Sequence, residues 1–237
     1  MILNLLILVF LILGGIAGFK KGFLKTTVQL VGLIAIVIIS YALKGGLAEF
    51  FINHLPFFEF GGLTALNVLM YNLIAFLIIF AVLMAVLNFV LKITGFIDTI
   101  LNFTVIWIIP SKIGGIIMGV VEAWLYIFLC LFVLIQIGFT SKFVTDSSMS
   151  NFMLDNTPVM ANFLGGASKA AKSIYAEVRK NTSDEEKDIT QLNTTILGLE
   201  ANYGIITKAK AQELMDTGKI DIDNVMFGKG NNKWSNI

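Results

Sequence analysis

Glu122 is the side chain whose type and setting most invite chemistry. It is the only charged residue of an apolar run over residues 113–137. A carboxylate in hydrocarbon is costly, so acids retained there mark proton or ion paths, or contacts inside a helix bundle. If a helix begins near Lys112, ten residues at ~1.5 Å rise place Glu122 about 15 Å deep. No lysine or arginine of the spans lies at that depth. The acid is therefore expected to be protonated, to bond a polar group such as Asn88, or to face a water-filled path or its own copy in an oligomer. A protonated acid that serves packing alone is the plain alternative. Other chemistry lacks its parts. His54, the only histidine, has no Cys, Asp or Glu at ligand spacing and reads as an interfacial polar residue. Cys130, the only cysteine, excludes a disulfide framework within one chain and reads as a small buried hydrophobe. Asp221, Asp223 and Asn224 lack the glycine and distal glutamate of a calcium loop. No nucleotide-binding loop and no Ser/His/Asp set is present. The expectation is no enzyme, no cofactor and no metal.

The elements that must hold Glu122 are apolar helices. The chain is 57% hydrophobic and 14% charged, far from soluble-globular composition. Lys20, Lys21 and Lys25 form a short basic turn between uncharged runs over residues 2–19 and 26–43. Each run approaches the ~17–25 residues that cross a bilayer, and backbone amides in lipid must be satisfied within the segment. The result is an antiparallel helical hairpin, with its basic turn directed to the cytoplasm. Runs over 67–91 and 113–137 complete four spans and place the N-terminus and the tail outside. Residues 96–110 are too short to cross and suit a re-entrant or interfacial segment, closed by a break at Pro110 and Ser111. Residues 45–63 read as an outer interfacial loop. Gly14, Gly18 and Gly22, like Gly115 and Gly119, have the small-xxx-small spacing that lets helices approach closely.

After Phe139 the composition changes. Eleven Lys/Arg and twelve Asp/Glu lie there, against six lysines and four acids before it. Residues 141–237 form a helical, water-exposed tail. Thr157 and Pro158 read as the start of an amphipathic helix over 160–178, and Ser183 to Glu186 as a capping box opening another. A third helix covers 208–215. With a formal net charge of +1, no basic face suggests nucleic acid.

The span that ends in Gly18-Phe-Lys-Lys-Gly-Phe23, followed at once by a second span, resembles the colicin V production family. The stretch from Ile97 and Asp98 to Gly115 and Gly119 is similar to that family's pattern of an aspartate and glycines before its last span, with an insertion through Pro110. The resemblance covers roughly residues 1–140. It implies a small bacterial inner-membrane protein with a role in toxin or bacteriocin production and export, or in envelope homeostasis, as a transport helper or small oligomeric pore. It supplies no catalytic residues. The partners expected are the lipid bilayer, further copies of the chain, and a protein bound through the tail. A membrane-anchored scaffold, whose tail binds that protein, is the other functional reading.

Overall fold

Because lipid offers no partner for backbone amides, the long apolar runs close their hydrogen bonds internally. The computed structural model describes residues 2–93, 108–182 and 189–220, and every regular element among them is helical. The long helices are α1 (Ile2–Lys21), α2 (Phe23–His54), α3 (Leu66–Ile93) and α4 (Ile108–Gln136). Each contains a segment long and apolar enough to cross a membrane. Five shorter helices follow among the described residues: α5 (Gly138–Thr145), α6 (Ser148–Asn156), α7 (Met160–Thr182), α8 (Ile189–Asn202) and α9 (Lys208–Asp216). The protein is an all-α, multi-pass membrane protein with a helical tail.

Several boundaries differ from the sequence reading. α2 runs to His54, so residues 45–54 continue the helix rather than joining the loop. Gly45 and Gly46 weaken it there, but Ala48 and Ile52 are buried one and two turns later and hold it. α4 opens at Ile108, so Pro110 does not break the chain. It falls in the first turn, where its missing N–H costs nothing. Residues 94–107, with Asp98 and most of the expected re-entrant segment, lie outside the described residues, as does the capping box at Ser183. Thr157 does not open α7. It closes α6, its N–H bonding to Met153 O at 3.1 Å. Ser147, not singled out in the sequence, caps α6 by accepting the Ser150 N–H at 3.1 Å.

α1 lies antiparallel on α4, while α2 pairs with α3 and also touches α4. Two ends follow: the α1–α2 turn with the start of α4 at one, and the α2–α3 connection with the tail at the other. In the middle Phe76, Leu125, Phe128 and Phe132 are buried. Phe76 meets Phe132 edge-on with ring centres 5.6 Å apart.

The tail is fastened to every long helix. Ser147 donates to Asn4 Oδ1 of α1 at 2.5 Å. Lys219 donates to Ile52 O and Asn53 O at 2.7 and 2.8 Å, a cation at the C-terminal end of α2. Asn193 accepts the Ala65 N–H at 3.1 Å and donates to Gly62 O at 2.9 Å, capping α3 from another element. Tyr175 donates to Gln136 O of α4 at 2.6 Å, and the Trp124 indole donates to Thr157 Oγ1 at 2.9 Å. α7 accordingly buries Met160, Leu164, Ala167, Ala171 and Ile174.

Candidate functional site

Glycine sets the spacing from which the site follows. A Cβ on Gly18 would stand 2.7 and 2.9 Å from Gly119 Cα and N, and one on Gly14 would stand 2.7 Å from Gly119 O. A Cβ on Gly115 would press on Gly18 O and lie 3.0 Å from the Gly22 carbonyl carbon. Gly14, Gly18, Gly115 and Gly119 thus share one seam, with α1 and α4 backbones in near contact. Gly22 has a second task. With φ 83° and ψ 164° it takes a conformation essentially reserved for glycine, and it turns the chain from α1 into α2. The seam is tied off at Ser111, whose hydroxyl accepts the Phe23 N–H at 3.3 Å.

That spacing brings Lys21 to Glu122. The ammonium lies 3.2 and 3.1 Å from the two carboxylate oxygens, and Glu122 is only 6% exposed. Helical side chains lean towards their own N-terminus. In an antiparallel pair the lysine at the end of α1 therefore leans into the bundle, and the glutamate of α4 leans back to meet it. The expectation that no cation reaches Glu122 is corrected: the lysine comes from the turn, through its long stem. Asn88 is exposed on α3, and the hydrogen-bond partner of Glu122 is Lys21 instead. Both carboxylate oxygens engaged at once give the geometry a buried pair needs to offset its desolvation. Of the other turn lysines, Lys20 is exposed and Lys25 half-buried, and neither joins an ion pair among the described residues. Lys112 sits over the Phe19 ring, 5.5 Å from its centre.

At the other end a second polar centre appears that sequence reasoning missed. Lys44 is 7% exposed, because the tail covers it. Its ammonium donates to Asn72 Oδ1 at 2.7 Å and lies 4.7 Å from the centre of the Tyr41 ring. The signal in the sequence was a lone lysine at a span end, which ordinarily reaches into water. His54 ends α2, stacked on Phe50 with ring centres 4.4 Å apart. Cys130 is exposed on the surface of α4, against the buried position expected. No group of three or more His, Cys, Asp or Glu placed to hold a metal occurs among the described residues.

The family model described as "Colicin V production protein" matches residues 3–158. The match therefore runs through α5 and α6, beyond the region of the sequence resemblance. The chain is also similar to a Bacillus subtilis (strain 168) protein described as "Uncharacterized transmembrane protein YshB". The two are 24% identical over 173 residues, covering 68% of this chain and 94% of that protein. No solved structure matches.

Proposed function

The chain belongs to the colicin V production protein family, and from that premise we propose that it assists toxin or bacteriocin production and export, and envelope homeostasis, as a helper subunit of the bacterial inner membrane. The observation that carries this reading is the Lys21–Glu122 pair, brought together beside the glycine seam of two apolar helices. An ion pair so placed adds no net charge to the bundle, yet it is a link that a partner helix can open. The bias of Lys20, Lys21, Lys25, Lys92 and Lys112 to the turn end supports a cytoplasmic turn and an external tail. The helper reading is preferred to a pore through one copy because Phe76, Phe128 and Phe132 fill the interior between Glu122 and Lys44. A pore would need several copies. The scaffold reading is weakened by the fastening of the tail to all four long helices, which ties it into the bundle.

The test is a charge cycle in a strain lacking its own copy of the gene, with secreted toxin activity and membrane abundance as readouts. Glu122→Gln alone should cost roughly 1–3 kcal/mol of stability, because Lys21 can swing to water, whereas Lys21→Met strands the buried Glu122 carboxylate and should cost more, towards the roughly 3–5 of a broken buried pair. The double variant should regain most of that stability, since no charge is stranded, but not the activity. Wild-type secretion from the double variant would leave the pair a packing device and remove this reading. Purification in mild detergent, reporting copy number and companions together, separates helper from oligomeric pore.

A further inference from the structure

We propose that the tail-end cavity between α2 and the α8–α9 connection binds a small anion, a carboxylate or phosphate group, held by the field of Lys44. The cavity holds about 200 Å³ and is walled by Ala48, Ile52 and Ile206, with Asn72, Thr207 and the mutually paired Glu49 and Lys210 as its polar groups. A smaller chamber of about 10 Å³, room for about one water, adjoins it and is lined by Lys44, Tyr41 and Gln136. Asn72 and Ile205 line both. Asn72 thus stands between the two: its oxygen receives the Lys44 ammonium at 2.7 Å and its amide N–H donates to Val68 O at 3.0 Å.

The charges select the ligand. At the mouth Lys210 is already met by Glu213 at 2.7 Å, Glu49 at 4.0 Å and Asn53 at 2.8 Å. Lys44 has no carboxylate partner among the described residues. Its compensation is one neutral amide and one aromatic face, little for an ammonium removed from water. An anion in the cavity would lie one side chain away and supply the missing charge. The apolar walls then suit a short hydrocarbon portion, as on an organic acid or the glycerol end of a lipid headgroup. The site rests on the buried lysine and the cavity, and does not depend on the export role.

The test is thermal melting of the full-length protein in neutral detergent at constant ionic strength. The probes are inorganic phosphate, acetate, and micelles containing phosphatidylglycerol or phosphatidylcholine. A saturable rise in melting temperature is expected with phosphate or phosphatidylglycerol and not with phosphatidylcholine. A rise with phosphatidylglycerol alone assigns the headgroup as the source; a rise with phosphate or acetate assigns a free anion. Lys44→Met should abolish the shift and be at least as stable as the unliganded wild type. Ile206→Trp, which fills the cavity and keeps Lys44, should also abolish it; this covers the case in which Lys44→Met does not fold. No saturable shift with any anion would overturn the site. So would a full shift in Ile206→Trp or Lys44→Met.

Discussion

At the scale of single residues, glycines that look alike do opposite things. Gly18 faces backbone: a Cβ there would meet Gly119 at 2.7 Å. Gly45 lies within α2 and faces nothing within 4 Å. Gly18→Leu should therefore overpack the seam and cost roughly 1–3 kcal/mol or more, and pull Lys21 from Glu122. Gly45→Ala should stabilise the protein by about 0.5–1 kcal/mol, through the lower backbone entropy of alanine in a helix. Melting of both variants in one detergent checks the pair, and destabilisation by Gly45→Ala would show an unrecognised contact there. The small-xxx-small spacing identified the seam's glycines as packing candidates. Spacing says nothing of which neighbour they would meet.

At the scale of elements, α8 joins the tail to α3. Asn193 and Glu200 lie two turns apart, and both are fully buried. Asn193 caps α3, whereas neither oxygen of Glu200 has a geometrically complete hydrogen bond. Burial pushes the Glu200 carboxyl well above its ordinary value of 4.5, and the Leu69 N–H offsets only part of this. The sign for stability follows. Below that value both folded and unfolded chains carry the proton, and the carboxyl costs least. As pH rises through it, the unfolded chain releases the proton while the folded chain retains it, so stability falls. The fall continues until the folded carboxyl itself ionises. Glu200→Gln should raise the melting temperature near about pH 8, leave it little changed near about pH 4, and flatten the profile between. An unchanged slope would mean that another group governs the pH dependence. The same element explains why Asn193, which fits a glycosylation pattern in sequence, is closed to modification in the folded protein: its amide is spent on Ala65 and Gly62.

At the scale of the whole molecule, topology is the testable property. Lys21 and Ser111 lie at the same end, joined through Phe23, and Asn181 belongs to the tail at the other. With Cys130 replaced, cysteines at 21 and 111 should resist an impermeant thiol reagent in intact cells, and one at 181 should react. The reverse pattern would invert the orientation. The number of spans was legible in the sequence because it depends on local quantities: the length of an apolar run, the absence of charge within it, and the lysines at its ends. So was the close approach of the glycines of α1 and α4. The partner of Glu122 was not, because it lies 101 residues away and its reach depends on how two antiparallel helices lean. Nor was the cap on α3, supplied from 128 residues on. The burial of Lys44 and Glu200 was equally out of reach, since each is buried only when the tail closes over the ends of α2, α3 and α4. Local sequence determined which segments enter the membrane, because hydrocarbon acts on each segment alone. Tertiary packing decided which polar groups meet, because a buried charge is satisfied only by whatever the rest of the chain brings to it.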